Sequence, residues 1–482
     1  MSVMLKIGFV PSYRNRWTPW TEKMRADSLA VLKALPGVQV FAPSVAADGE
    51  TLSAASGATP HGAIHNLDEG ETVAEFFQAQ RIDALVICPL DFGDERSACK
   101  IAEELNVPVF LYATKEPPVP ERPSLARVSD SYCGNLGISS GLHRRRIRFQ
   151  FGGLFFPEDP GLKAQLDLFL RAVAVGKGLR NARIGQVGVR PPTFETVSYD
   201  EGAMVRKFGQ NVIWTNLDDI VAAAKDYADD APEVLEAIAR VRASVPTITV
   251  ADDYLINSAK FELALTDFWR SSGLSALAVQ CWYSIQREMG ISLCASFGRL
   301  TNAGMLTACE ADVLGALSMI ASHRASLGED LPHFVDWTIQ HRDDPNLLLA
   351  WHCGNAPVCL AADRSQIALR SRADMTGEAG VNPGDPQAGL CQFQVKPGLV
   401  TFCRLAEFDG DWKMLITTGS ILPSDETNAG TWAWVRVRDH ARLYRTLVEQ
   451  GFIHHASMIH GNQTRALVQA CKFLDIQPVV VE

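Results

Sequence analysis

The first 115 residues alternate short apolar runs with amphipathic segments, and this alternation constrains the fold more than any other feature of the chain. The apolar runs KIGFV, VQVFAP, IDALVICPL and VPVFLYA are each typical of a strand. IDALVICPL is apolar throughout, as expected for a strand in a parallel sheet that is covered on both faces. The segments between the runs, such as DEGETVAEFFQAQ, predict helices with acidic first turns. We therefore predict a doubly wound α/β unit at the start of the chain.

The remaining sequence divides into a second α/β region and a β-rich region. Helix and strand patterns resume near residue 163, after a proline-rich stretch. Beyond residue 344, CQFQVKPGLVTFCRLAEFDGDWKMLITTGSIL predicts a β-meander with turn signals at Pro397–Gly398 and Asp409–Asp411. The predicted architecture is two doubly wound α/β domains followed by a β-rich C-terminal domain: 1–165, 166–344 and 345–482.

Composition and charge exclude several classes of function. The net charge of −10 argues against a nucleic-acid-binding protein, which would normally carry a basic surface. The chain has neither a signal-peptide pattern nor an apolar run of about 18 residues, so we expect no membrane span. The 11 cysteines include no CxxC pair and predict reduced, buried thiols in a cytoplasmic protein. No GxGxxG motif follows a strand, which disfavours a dinucleotide site.

Two carboxylates stand at positions that suggest chemistry. Glu310, in TACEADVLGALSM, is placed where a strand ends and a helix begins, and that edge of an α/β sheet is the usual ligand crevice. Alternatively, Glu310 is a first-turn residue that interacts with the helix dipole. Asp336, in PHFVDWTIQ, interrupts an apolar strand. Because Asp is depleted in strands, we favour a functional role for it.

The histidines cluster in two stretches. His352 follows the apolar strand of LLLAWHCGN, where it is either functional or satisfied by the backbone. GFIHHASMIHGN contains His454, His455 and His460, although surface strands also carry histidines. His460 lies an odd number of residues from His455, which puts the two on opposite faces of a strand, so we assign His460 no ligand role. Two carboxylates and a histidine suit Mn²⁺, Mg²⁺ or Co²⁺, whereas thiolates would suggest zinc or iron–sulfur.

Six stretches, in this order, resemble one known family: ACEADVLGALSM, FVDW, WHCGNAP, the meander from VKPGLVTFCRL to DWKMLI, GTWAWV and HHASMIHG. They make roughly the last 200 residues similar to the L-fucose isomerase/L-arabinose isomerase superfamily in its short bacterial form. The N-terminal region matches that superfamily in architecture more than in motif. The resemblance implies a metal-dependent aldose–ketose isomerase that works through an enediol.

The resemblance also implies roles for individual residues. Glu310, Asp336 and His455 match the family's metal ligands, and the two carboxylates would also be the catalytic bases. His454 matches a sugar-contacting position, and His352 falls near a fourth ligand of arabinose isomerases. The other substrate-site candidates are Gln280, Trp432 (with Trp434 as an alternative), Arg14, Arg16 and Trp17.

The resemblance further implies a divalent metal, with Mn²⁺ expected first and Mg²⁺ or Co²⁺ as alternatives. It implies a homo-oligomer, a hexamer or smaller, in which an arginine near the first strand reaches a neighbouring subunit's site. The local pattern SYRNRW departs from that of fucose isomerases. L-fucose or D-arabinose is the first expectation for the substrate. An anionic hexose such as sulfoquinovose is the alternative, since the loop's arginines suit bidentate binding of an anion. A non-catalytic sugar-binding protein on the same scaffold is a third possibility.

Overall fold

The computed structural model of the chain describes residues 3–14, 17–117, 128–281, 284–371 and 388–482. The chain forms two compact units. The N-terminal unit consists of residues 2–177 and 472–474, and the C-terminal unit consists of residues 178–471 and 475–482. The three-domain division at residues 165 and 344 remains a prediction.

The N-terminal unit is built on a five-stranded sheet in the order β2-β1-β3-β4-β5, and all of its pairings are parallel. Every residue of β3 is buried, as its apolar sequence predicts. The side chains of Thr18, Asn66 and Asp94 cap α1, α2 and α3, which explains where these helices begin. In chain order the elements are β1 (Leu5–Ser12), α1 (Pro19–Lys33), β2 (Val38–Phe41), α2 (Leu67–Gln80), β3 (Ala84–Pro89), α3 (Glu95–Leu105), β4 (Val109–Thr114), α4 (Ser131–Arg144), β5 (Phe149–Phe155) and α5 (Pro160–Leu179).

The C-terminal unit begins with a four-stranded parallel sheet in the order β10-β9-β6-β7. The central strand β9 is entirely buried. The elements of this part are β6 (Arg183–Val187), α6 (Glu201–Phe208), β7 (Asn211–Thr215), α7 (Leu217–Lys225), α8 (Pro232–Ser244), β8 (Thr247–Ile248), α9 (Asp252–Ser272), β9 (Ala276–Val279), α10 (Ser284–Met289), α11 (Cys294–Asn302), β10 (Thr307–Cys309) and α12 (Val313–Ala325).

The rest of the C-terminal unit forms a ten-stranded sheet in the order β19-β16-β15-β18-β11-β12-β17-β14-β13-β8. An additional pairing of β16 with β17 closes six antiparallel strands into a barrel. The remaining elements are β11 (His333–Gln340), β12 (Leu347–His352), β13 (Ala368–Ser371), β14 (Ala388–Gln394), β15 (Gly398–Phe408), β16 (Asp411–Ile421), β17 (Thr431–Val437), α13 (His440–Gln450), β18 (His455–His460), α14 (Thr464–Leu474) and β19 (Gln477–Val481).

The sequence predicted part of this architecture. A mixed α/β chain with parallel sheets and a β-rich C-terminal sheet is confirmed. The turn at Asp409–Gly410 joins β15 and β16, and both residues have the positive φ of a tight hairpin. Pro397–Gly398 does not join paired strands, because β14 pairs with β13 and β17 instead. Within the described residues, no helix is both long enough and apolar enough to cross a membrane.

Candidate metal centre

Three neighbouring barrel strands carry the imidazole and carboxylate side chains of the site. Asp336 of β11 lies opposite His455 of β18 in the antiparallel ladder. On its other side Asp336 lies opposite Trp351 of β12, and His352 is the next residue of that strand. His455 is fully buried, and His352 is 2% exposed. The barrel therefore collects residues that are up to 119 positions apart in sequence (455 − 336).

Glu310 reaches the same place from the parallel sheet, directly after β10. Glu310 and Ala311 have φ values of +62° and +56°, a conformation that non-glycine residues rarely adopt. The turn is held by the Ala311 amide, which donates to the Val279 carbonyl at 3.1 Å. Two consecutive residues of this kind cost about 1–3 kcal/mol each, and such strain concentrates at functional sites. Since α12 begins at Val313, Glu310 lies before the helix rather than in its first turn.

Three buried ligand atoms converge without a hydrogen-bond partner. They are Glu310 Oε2, Asp336 Oδ1 and His455 Nε2. His455 Nε2 lies 2.8 Å from Glu310 Oε2 and 3.6 Å from Asp336 Oδ1, but neither contact has hydrogen-bond geometry. Unsatisfied buried polar atoms are rare in native proteins and call for an explanation such as a bound ion. Two carboxylate oxygens and one imidazole nitrogen fit a hard or borderline divalent cation.

His455 is oriented by a buried ion pair behind it. Asp312 Oδ2 lies 2.9 Å from His455 Nδ1, which leaves Nε2 to face Glu310 and Asp336. Arg404 Nη2 donates to Asp312 Oδ1 at 3.0 Å, and Arg404 is only 2% exposed. A carboxylate behind a ligating histidine fixes its ring and raises its basicity. Asp312 also caps α12, since its side chain accepts from the Gly315 amide at 2.8 Å.

The charges of these groups stabilise one another. Burial alone would lower the pKa of His455, but the neighbouring carboxylates of Asp312 and Glu310 raise it to about 9. Burial would raise the pKa of Asp312, but Arg404 and His455 hold it well below its usual range. Likewise, His455 outweighs burial and lowers the pKa of Glu310. The Glu310 carboxylate is therefore ionised at neutral pH and can act as a ligand or as a base.

His352 and His454 flank the three converging atoms. His352 Nδ1 accepts from the Cys353 amide at 2.9 Å, so the neutral ring carries its proton on Nε2, a buried atom with no partner. That nitrogen is then a hydrogen-bond donor rather than a free lone pair. His454 is exposed, and its ring lies 4.1 Å from that of His455 and 5.5 Å from that of Phe194. His460, in contrast, is hydrogen-bonded to the Lys396 carbonyl at 3.0 Å.

The other predicted substrate residues of the C-terminal unit have structural contacts. Gln280 Oε1 accepts from the Val189 amide at 2.9 Å and so fixes the loop that follows β6. Trp432 is 3% exposed and packs in an apolar cluster with Leu347, Leu349 and Trp434. The sugar contacts expected of Gln280 and Trp432 remain predictions.

The predicted loop residues of the N-terminal unit lie at the carboxyl end of β1. Arg14 donates from Nε to the Gly93 carbonyl at 2.8 Å, and its guanidinium lies 4.1 Å from the centre of the Phe92 ring. Trp17 stacks on His61, with ring centres 4.7 Å apart. Arg16 lies outside the described residues, so the structure says nothing of it.

Sequence reasoning missed the residues that support the candidate ligands. Asp312 had a local signal, since an aspartate directly before an apolar helical run is a typical N-cap. Arg404 had no local signal, because its partner is 92 residues away. Four cysteines that lie singly in the sequence also meet beside Glu310.

Comparison with known proteins matches both ends of the chain to described families. Residues 40–180 match the family described as fucose/sulfoquinovose isomerase, N-terminal domain. Residues 350–481 match the family described as L-fucose isomerase, C-terminal domain.

Curated relatives match most of the chain. The sulfoquinovose isomerase of Alkalicoccus urumqiensis is 27% identical over 403 residues, which cover 83% of this chain and 86% of that protein. The sulfoquinovose isomerase of Priestia aryabhattai is 24% identical over 425 residues, or 87% of this chain and 90% of that protein. A solved galactofuranose binding protein aligns with 68% of this chain and 90% of its own at 10% identity, but its TM-score of 0.17 supports no inference.

Proposed function

The chain belongs to the L-fucose isomerase-like superfamily and is an aldose–ketose isomerase, and from that premise we propose that it converts sulfoquinovose into the corresponding 2-ketose at the Glu310–Asp336–His455 centre. The approach of two unsatisfied carboxylate oxygens, from Glu310 and Asp336, to the unsatisfied His455 Nε2 carries the assignment of this centre. Relatives named sulfoquinovose isomerase favour this substrate over the first expectation, L-fucose or D-arabinose.

Glu310, Asp336 and His455 would hold the divalent cation. A bound cation of this kind would act as a Lewis acid on the sugar's oxygens. We propose Mn²⁺ as that cation because the ligand set is two carboxylates and one imidazole. The exposed His454 ring lies next to His455 and is suited to contact the sugar from the open side.

The two carboxylates would move the protons of the reaction. One removes the proton from C2 of the open-chain aldose while the oxygen on C1 gains a proton, which gives a cis-enediol. The hydroxyl on C2 then loses its proton, and C1 gains one, which yields the ketose. Carboxylates within reach of both carbons can serve as base and acid in turn. The Nε2–H group of His352, which has no partner in the protein, would donate a hydrogen bond to a sugar oxygen during these transfers.

The sulfonate of the substrate requires a cationic partner. Arg14 and Arg16 were predicted for this role on a neighbouring subunit. Arg190 is a second candidate within the C-terminal unit itself. It is exposed and lies on the same loop as Phe194, whose ring packs against His454. An arginine fork matches the oxygens of an anion in a bidentate manner.

A substrate comparison tests the proposed function directly. Purified enzyme with Mn²⁺ is assayed against sulfoquinovose, glucose, L-fucose and D-arabinose, and the ketose is quantified by NMR. Glucose is the matched control, because it differs from sulfoquinovose in carrying a hydroxyl in place of the sulfonate. We expect kcat/KM for sulfoquinovose to exceed that for glucose by about 100-fold or more. Equal or better conversion of L-fucose or D-arabinose would overturn the substrate assignment.

Arginine variants then identify the group that binds the sulfonate. Arg190→Gln and Arg14→Gln are compared for kcat/KM with sulfoquinovose and with glucose. The variant that lacks the sulfonate-binding residue loses activity with sulfoquinovose and keeps its weak activity with glucose. Equal losses on both sugars would indicate a structural effect of the substitution.

We also propose that the enzyme is a homo-oligomer with sites at subunit boundaries. Arg16→Ala and Glu310→Gln proteins, each inactive alone, should regain partial activity when mixed and allowed to exchange subunits. Each mixed boundary would then join one intact loop to one intact metal centre. If light scattering and mass labelling verify exchange and no activity returns, the loop is not part of a shared site.

A further inference from the structure

Four cysteines, here named the thiol cluster, gather next to the metal centre. They are Cys281, Cys294, Cys309 and Cys353. Cys309 is the last residue of β10 and directly precedes Glu310, and Cys353 directly follows His352. Cys281 lies two residues after β9, and Cys294 is the first residue of α11. The ends of several strands and the first residue of α11 thus bring together thiols that are far apart in the sequence and form no local motif.

The thiols of the cluster contact one another. The Sγ atoms of Cys281 and Cys309 are 3.1 Å apart. Cys294 lies close enough to Cys309 and Cys353 for its thiol to interact electrostatically with theirs. The exposed fractions of Cys281, Cys294 and Cys309 are only 2%, 8% and 1%. Because Cys309 directly precedes Glu310, the cluster is joined to the turn that presents the Glu310 carboxylate.

Cys281, Cys309 and Glu310 each offer one ligand atom, and these three atoms lie within 4.8 Å of one another. We propose that these three residues form a second cation site, selective for a thiophilic divalent ion such as Zn²⁺ or Cd²⁺, with Cys294 as the fourth ligand. Sulfur ligands favour such ions over Mn²⁺ and Mg²⁺, which prefer oxygen. The two sites of this unit therefore differ in the class of metal that they select.

Binding requires a small movement and the release of protons. Tetrahedral zinc with Zn–S bonds of about 2.3 Å places its sulfurs about 3.8 Å apart, so the thiols of Cys281 and Cys309 would separate by about 0.7 Å. Each thiol that binds gives its proton to solvent and becomes a thiolate, because only the deprotonated sulfur is a ligand.

The second site shares Glu310 with the first. A thiophilic ion that takes a Glu310 oxygen withdraws this carboxylate from Asp336 and His455. Occupation of the thiol cluster therefore inhibits the isomerase, whatever sugar it uses. The inference goes beyond the proposed function and does not depend on the identity of the substrate.

Cadmium titration tests the site without an activity readout. Metal-free full-length enzyme is kept reduced with a phosphine and titrated with Cd²⁺ while the ultraviolet cadmium–thiolate charge-transfer band is recorded. We expect a saturable band in the wild type and a loss of about half of its amplitude or more in Cys281→Ser and in Cys309→Ser. Cys88→Ser is the matched control, because Cys88 is fully buried in the N-terminal unit, and it should keep the full band.

Zinc X-ray absorption on the wild type keeps the test decisive if a variant fails to fold. Enzyme loaded with two equivalents of Zn²⁺ should show a sulfur shell at about 2.3 Å besides nitrogen and oxygen at about 2.0–2.2 Å. A spectrum with nitrogen and oxygen neighbours alone overturns the proposal. A cadmium band that is equally strong in wild type, Cys281→Ser and Cys309→Ser overturns it as well.

Discussion

The two units of the protein each contain a cluster of histidine and carboxylate side chains. Of these two clusters, only the one in the C-terminal unit has ligand atoms without hydrogen-bond partners. In the N-terminal unit, Glu69 is buried, and its two carboxylate oxygens are already used. Oε1 accepts from Asn66 Nδ2 at 3.4 Å and lies 2.7 Å from His65 Nδ1, and Oε2 accepts from the His65 amide at 2.9 Å. The His65 ring in turn stacks on Tyr13, with ring centres 4.9 Å apart.

In the C-terminal unit, the corresponding atoms of Glu310, Asp336 and His455 converge and are hydrogen-bonded to nothing. The residue types are the same, so composition does not distinguish the two clusters. Hydrogen-bond satisfaction does, because a satisfied carboxylate stabilises the fold, whereas a cluster of unsatisfied ones requires a ligand.

The largest expected effect comes from removing a histidine in each cluster. His455→Ala deletes a proposed metal ligand, so kcat/KM should fall by about a thousandfold or more and bound Mn²⁺ should be lost. His65→Ala and His460→Ala are the controls and should retain bound Mn²⁺, measured by elemental analysis after gel filtration. Equal losses of metal from all three variants would remove the distinction between the clusters.

The next largest difference between the two clusters is expected when their carboxylates are replaced. Glu310→Gln and Asp336→Asn should each lower kcat/KM by about 10²–10⁴-fold, and the double variant should lose far less than the product of the two, since the residues act as a unit. Glu69→Gln should instead lower stability, by about 1–3 kcal/mol, through lost buried hydrogen bonds. Activity assays and denaturant unfolding together measure both effects. Fully multiplicative losses from Glu310→Gln and Asp336→Asn would contradict a shared proton relay.

Asp312→Asn sharpens the comparison by changing a residue that touches neither metal nor substrate. His455 would lose its carboxylate partner, so Mn²⁺ affinity should fall by about 10–100-fold. Isothermal titration gives the affinity directly. Arg404 would also keep a buried charge without its ion-pair partner, so thermal unfolding is followed in parallel. Unchanged Mn²⁺ affinity together with a lowered Tm would restrict Asp312 to a structural role.

The smallest effect is expected at His333 of β11, a fully buried histidine that is hydrogen-bonded through Nε2 alone. Its Nε2 lies 3.1 Å from both Asn355 Oδ1 and Thr431 Oγ1. Burial lowers its pKa to about 3, so the unfolded chain takes up a proton at a higher pH than the folded chain does. Its stabilising contribution is therefore complete above about pH 6.5 and is lost as pH falls, by about 2 kcal/mol at pH 5.

His333→Gln checks this prediction, because it removes the titrating group. The Tm of the wild type should fall more steeply between pH 7 and pH 5 than the Tm of the variant. Parallel pH profiles for the two proteins would show that His333 does not titrate on unfolding.

Several features of the candidate site were predictable from local sequence. Asp336 interrupts an apolar strand. His454 and His455 stand side by side at the start of a second predicted strand, so the unusual positions of these residues are visible without a structure. The family and the isomerase activity were inferred from short motifs in a fixed order, and both are confirmed. The identity of the substrate was harder to predict from the sequence, because a sulfonate is bound by a few side chains that are far apart in the chain.

The sequence by itself determined the alternation of strands and helices, the β15–β16 hairpin and the identity of the family, because each depends on residues that are close together in the chain. Only the tertiary structure decided how the barrel closes, which side chain orients His455 and where the cysteines meet. Arg404 lies 92 residues from Asp312, and Cys309 lies 28 residues from Cys281. Such contacts form only when strands from distant segments pair and bury their side chains together, so no local pattern in the sequence predicts them.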